Sequence, residues 1–235
     1  MTGESKGETE PWIKNHEVGY AYAYDKGGKL SRFFGVEGIP HAVLIDASGK
    51  VAWRGHPGEL DDALLQKHLA GTLPKPMWEW PASAKPVRAA LLKLQFAAAL
   101  AAAEKVPAAD GGAELASGIK ALIAGRVAAM KSACEAGNFL EAQDLATSLS
   151  KSLQDLPEQA DAAKVAADIA ANPSAPKVLA AQKAVKKIRD ADPTKRKDID
   201  QAIEKLREIM SANPGTYVAK DAGALIDVLK ARKQR

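Results

Sequence analysis

From residue 85 onward, apolar side chains recur every three or four positions. Val87, Leu91, Leu94 and Ala98 form one such series, and Ile123, Val127, Met130 and Cys134 a second. Ile199, Ile203, Leu206 and Met210 form a third, followed by Val218, Ala222, Leu225 and Leu229. This spacing predicts helices that each bury one stripe. Breaks fall at Pro107 to Gly112, Gly137-Asn138, Leu156-Pro157, Asn172-Pro173, Asp192-Pro193 and Asn213-Pro214-Gly215. They divide this half into about seven helices.

The first 72 residues follow a different pattern. Residues 8–16 predict a short helix with Trp12, Ile13 and His16 towards one side. Val18, Tyr20, Tyr22 and Tyr24 alternate with small residues, as a strand requires. Asp25-Lys26-Gly27-Gly28 is a turn, and Lys29 to Phe34 a short helix stopped by Gly35. Ala42 to Asp46 is an apolar run that predicts a buried strand. Ala47-Ser48-Gly49 turns the chain back into a partner strand, Lys50 to Arg54. A turn in that place makes paired residue numbers sum to 96 or 97, which sets His41 across from or near His56. After Gly55-His56-Pro57-Gly58, the acidic residues Glu59, Asp61 and Asp62 open a helix carrying Leu60, Leu64, Leu65, His68 and Leu69.

Between the halves, residues 73–86 contain four prolines, Pro74, Pro76, Pro81 and Pro86, which read as a stiff linker. Trp78 and Trp80 are too apolar for a free linker, so at least one is expected to pack against a domain. The predicted organisation is therefore a first domain over 1–72, a linker over 73–86, and a helical domain over 87–235.

Composition narrows the function classes. Hydrophobic residues make up 46%, charged residues 26% and aromatics 5% of the 235 residues, as in ordinary globular chains. The net charge of +4 is mild. Residues 1–75 carry 9 basic and 10 acidic side chains, and residues 76–235 carry 24 and 19. The tight basic run Lys195-Arg196-Lys197 has no aromatic neighbours on which bases could stack, so no nucleic acid is expected as a partner. No apolar stretch approaches the length of a membrane span. The one cysteine, Cys134, continues an apolar helical stripe and reads as a buried, inert thiol. The helical half has no histidine, no metal-ligand spacing and no Gly-rich phosphate loop. No catalytic residue, cofactor or metal is predicted. His41 and His56 alone do not make up the three or four ligands of a zinc site, and His16 and His68 read as helix residues.

Certain phrases resemble a known family. Gly35-Val36-x-Gly38-Ile39-Pro40-His41-Ala42, Leu44-Ile45-Asp46, Ser48-Gly49-Lys50 and Trp53-x-Gly55-His56-Pro57 are similar in order and spacing to the C-terminal half of thioredoxin-like redoxins. These are the thiol–disulfide oxidoreductases and the related peroxiredoxins. The resemblance covers residues 4–71. It implies an α+β chain: a partial thioredoxin-like α/β domain followed by an all-α, helical-hairpin, repeat-like domain. It also implies that Pro40 is the family's cis-proline, that Ile39, Pro40 and His41 border the groove where an extended substrate pairs, and that His56 lies at its edge. The family's Cys-x-x-Cys is missing from this sequence. The chain is expected either to be a piece of a longer oxidoreductase or to be a non-catalytic binding module on a degenerate redoxin platform. The resemblance implies a periplasmic or envelope location.

In the helical half, Gln95-Phe96-Ala97-Ala98-Ala99-Leu100 and Asn138-Phe139-Leu140-Glu141-Ala142 echo one another. They are similar to tetratricopeptide-type hairpins, without that repeat's period of about 34 residues. Stacked hairpins bury a continuous seam and present a surface to partners, so protein partners are expected at the helical domain.

Overall fold

The computed structural model describes residues 3–16, 22–47, 49–69, 72–73 and 75–233. The chain is α-rich with a small β part. Its contacts divide it into two units, Met1–Leu69 and Ala70–Arg235.

The first unit opens with α1 (Lys6–Asn15). The Glu8 carboxylate accepts from both the backbone N–H and the hydroxyl of Ser5, closing the helix start. Trp12 and His16, one turn apart, stack with ring centroids 4.3 Å apart. The strand expected over 18–24 falls largely on 17–21, outside the described residues. Tyr24 makes a single bridge, and Tyr22 meets it edge-on at 5.8 Å. Then α2 (Lys29–Phe34) ends at Gly35, whose φ of 66° is a left-handed conformation that suits glycine.

The only sheet among the described residues is an antiparallel hairpin of β1 (Ala42–Ile45) and β2 (Val51–Gly55). Its register pairs Ala42 with Gly55, Val43 with Arg54 and Leu44 with Trp53, then shifts so that Ile45 meets Val51. Paired numbers thus sum to 97 and, past the irregularity, to 96. A 3₁₀ turn over Pro57–Glu59 leads to α3 (Asp62–Lys67), where the Asp61 side chain accepts from the Leu64 N–H at 2.7 Å.

This unit buries no apolar side chain among its described residues; only Thr9 and Asp25 are buried. Phe33 is 74% exposed and Ile39 92% exposed. A two-stranded sheet with three short helices has too little surface to enclose a core.

The second unit is helical. Residues 73–86, read from the sequence as linker, hold 3₁₀ turns at Met77–Glu79 and Ala82–Ala84 and the first residues of α4 (Lys85–Leu92). Trp80 and Ala84 are buried in the helical core, while Trp78 stays exposed. Seven more helices follow: α5 (Phe96–Ala103), α6 (Gly112–Glu135), α7 (Phe139–Ser152), α8 (Gln159–Ala171), α9 (Ala175–Ala191), α10 (Arg196–Ala212) and α11 (Tyr217–Lys233). Every predicted break is found. One more falls at 93–95, so the series Val87, Leu91, Leu94, Ala98 is not one helix. Leu94 has φ 56° and is exposed, and Ala98 is exposed too. The reversal lets Val87 and Leu91 of α4 and Phe96 of α5 enter one core.

The apolar seam falls into two clusters. One runs from Trp80 to Ala175 and includes Ile119, Met130, Leu149 and Leu153. The other joins Val185 of α9 to Ile199, Leu206, Val218 and Leu229 of α10 and α11. Helix α9 contributes to both.

Candidate functional site

The loop entering β1 carries the residues singled out by the sequence. The Ile39–Pro40 bond is cis. Ile39 projects into solvent, and Pro40 is exposed. His41, immediately before β1, is half-buried, and its Nε2 is buried without a hydrogen-bond partner. The ladder ends at the pair Ala42–Gly55, so His41 and His56 are the residues that flank its last pair. His56 is exposed, and its Nδ1 accepts from the Gly58 N–H at 3.1 Å. An accepting Nδ1 places the proton of the neutral ring on Nε2.

The turn around His56 is tightly closed. A Cβ on Gly55 would come within 2.7 Å of the Trp53 ring and 2.9 Å of a Glu59 carboxylate oxygen. Only glycine lets Trp53 lie over the end of its own strand while the chain turns at His56. Among the described residues, no group of three or more His, Cys, Asp or Glu side chains is placed to hold a metal ion. The arrangement is two imidazoles and an exposed isoleucine at one end of a hairpin. The exposed His56 ring offers a hydrogen-bonding group near an apolar contact, while the His41 Nε2 is buried.

Asp25 was not identified from the sequence. Its Oδ1 accepts from the Leu30 N–H at 2.9 Å, and its Oδ2 accepts from the Ser31 N–H at 2.9 Å and from the Ser31 hydroxyl at 2.7 Å. These bonds, the Ser31 hydroxyl foremost, hold its carboxyl below the ordinary aspartate range. An Asp placed before a Gly-Gly turn and a helix was the available signal.

In the helical unit, Cys134 is half-buried against the first cluster. Burial raises its thiol pKa, and the nearby charges of Asp168 and Glu135 raise it further. Such a thiol is a poor nucleophile at neutral pH. No helix is long and apolar enough to cross a membrane among the described residues. The largest and most apolar of the described surface grooves lies between α9 and α10, with Ala184, Ile188, Ala191, Ala202 and Ile209 in its lining. A smaller groove between α7, α9 and α11 includes the Arg189–Asp221 ion pair, at 2.6 Å, in its lining. Compared with known families, curated proteins and solved structures, the chain matches no family model, no curated protein and no solved structure.

Proposed function

We propose that this chain is a redoxin-type recognition protein: a thioredoxin-like platform over residues 22–69, joined to a helical-hairpin domain that holds a protein partner. The observation that carries the reading is the end of the hairpin. There Ile39 is 92% exposed beside His41, and His41 and His56 flank the last pair of the ladder, Ala42 and Gly55. An exposed apolar side chain near the exposed His56 imidazole suits an extended peptide laid along the loop. The order α2, Pro40, β1, β2, α3 agrees with the order that the redoxin resemblance implies. Assignment to that family is by analogy of motif and order.

Thiol–disulfide exchange needs an attacking thiolate and a resolving thiol. These 235 residues hold only Cys134, whose half-burial and raised pKa disfavour the thiolate. Recognition is therefore the role that the described residues support.

The test is a titration of the isotope-labelled full chain with a reduced, carboxymethylated, unfolded polypeptide. Amide shifts should concentrate at 38–42 and 56–58 and disappear in Ile39→Asp. Shifts spread evenly over the chain, or none, would remove the platform reading. In a parallel insulin-reduction assay with dithiothreitol the chain should not exceed the uncatalysed rate. Turnover abolished by Cys134→Ser would replace recognition with catalysis.

A further inference from the structure

The charge of the chain is concentrated where the function proposed above makes no use of it. Residues 175–235 carry 15 basic and 8 acidic side chains, a balance of +7. Residues 84–174 carry 9 basic and 10 acidic, a balance of −1. The three C-terminal helices thus exceed the net charge of the whole chain, which is +4.

These helices also line the largest and most apolar of the described grooves. Its α9 wall is Ala184, Ile188 and Ala191, at helical spacing over about 10 Å. Its α10 wall runs from Asp198 to Ile209, about 16 Å, with Ala202 buried and Ile209 half-buried between them. Helix α10 packs closely on α11 and only loosely on α9, so the α9–α10 valley stays open, with a volume of about 590 Å³. Two nearly adjacent helices with apolar stripes facing a shared valley form a seat for a third helix.

The rim identifies the occupant. Lys187 and Lys205 stand on opposite walls, with no ion pair to either among the described residues. Asp198 and Glu208 on the α10 wall offset them along the sides. At one end the balance is different. Pro193 and Asp198 both line the groove, and the chain between them, outside the lining itself, includes Lys195, Arg196 and Lys197, all exposed and with no ion pair among the described residues. The neighbouring carboxylates Asp192 and Asp200 are engaged elsewhere, by Arg232 and Lys233. One end of the groove is therefore adjoined by three exposed cations, with Asp198 the carboxylate beside them in the lining.

We propose that the α9–α10 groove binds an amphipathic helix of a partner protein, whose apolar stripe fills the valley and whose carboxylates meet Lys195, Arg196 and Lys197. The inference rests on the reading of the helical unit as a protein-binding surface and supplies the partner's chemistry. Apolar burial provides the affinity, and the cation cluster sets the direction in which the helix lies.

The experiment uses the full chain and a fluorescein-labelled helical peptide of about 14 residues, long enough to span the groove. The peptide has leucines at i, i+3, i+4 and i+7 and glutamates gathered at one end. Fluorescence anisotropy should show saturable binding. A peptide with lysines in place of the glutamates should bind about tenfold more weakly or worse. Ala184 and Ala191 are exposed, so Ala184→Glu/Ala191→Glu blocks the groove without touching the core, and circular dichroism checks its helicity. This variant should lose binding by about tenfold or more. Lys195→Ser/Lys197→Ser should weaken the acidic peptide and leave the lysine peptide unchanged. Absence of binding overturns the proposal. So does binding that a short polyglutamate or a heparin fragment matches, or that the double glutamate variant leaves intact, because the cations then act as a diffuse polyanion surface. A concentration-dependent dimer that the double glutamate variant dissociates would make a second copy the occupant and also overturn it. None of these readouts involves residues 38–42, so failure here is distinguishable from failure of the hairpin-edge titration.

Discussion

Gln182 of α9 accepts a hydrogen bond from the backbone N–H of Leu140, in the first turn of α7, at 2.9 Å. Its side-chain amide also donates to the Gly137 carbonyl at 2.9 Å. Gln182 is 4% exposed. One buried amide thus satisfies a free helix-start donor and a corner carbonyl 42 and 45 residues earlier in the chain. It joins the helix that enters the second cluster to the α6–α7 corner of the first.

Gln182→Ala should therefore destabilise the helical unit by about 1–3 kcal/mol, because it leaves a buried donor and acceptor unpaired. Urea unfolding followed by circular dichroism measures this. A loss of cooperativity alongside the shift would show that the two clusters had unfolded separately.

The two tryptophans of the proline-rich stretch should behave oppositely. Trp80 is buried and its indole N–H donates to the Lys75 carbonyl at 3.1 Å, whereas Trp78 is 62% exposed. Trp80→Ala should cost about 3–5 kcal/mol, as for a large aromatic removed from a core. Trp78→Ala should stay within about 0.5 kcal/mol. Denaturant melts of both variants test this, and acrylamide should quench Trp78 far more readily than Trp80.

Leu94 sits at φ 56° and is 47% exposed, so it contributes little packing and holds a conformation costly to a side chain with a Cβ. Leu94→Gly should leave stability unchanged or raise it by up to about 1 kcal/mol, the backbone relief being offset by glycine's unfolded-state entropy. A lower melting temperature would mean that the leucine side chain is packed.

Cys134 should react slowly with a disulfide reagent at pH 7.5 and quickly once the chain is unfolded, since burial, Asp168 and Glu135 all raise its pKa. The linked stability has a definite sign. A thiol that binds its proton more tightly in the folded state adds stability that is complete below its unfolded pKa. That stability is lost as pH rises through the folded value. Alkaline destabilisation should be smaller in Cys134→Ala.

Asp25 has the opposite sign. Its carboxylate is favoured by the Ser31 hydroxyl and then by the Leu30 and Ser31 amides, so its contribution is present above the ordinary aspartate pKa and lost as pH falls through the lowered folded value. The Leu30 and Ser31 amide resonances should hold their positions until that acid range and then move together. In Asp25→Ala they should differ from the native positions at every pH.

Much of the local structure was legible because it depends on near neighbours. Gly35 stopping α2, Asp61 capping α3 and the proline and glycine breaks from Pro107 to Gly215 follow from backbone dihedral limits and helix-end hydrogen bonding. The hairpin register followed from turn length and the two-residue strand period. The break at 93–95 was not legible. Lys93, Leu94 and Gln95 contain neither proline nor glycine, and a periodic stripe ran through them.

By itself, then, the sequence determined the hairpin and most of the helix ends, the break at 93–95 excepted, because propensity, capping and chain reversal act over a few residues. Tertiary structure decided which polar groups are buried and which apolar ones are not. Gln182 lies among lysines and alanines and carries no local sign of burial; contact with the α6–α7 corner encloses it. Trp78 and Trp80 are two positions apart in one proline-rich stretch, and only the packing of the helical core separates them. The α9–α10 valley has the same origin. The apolar stripes of both helices can be read in the sequence, but their exposure depends on α10 packing closely on α11 and only loosely on α9, and that is set by the summed contacts of residues far apart in the chain.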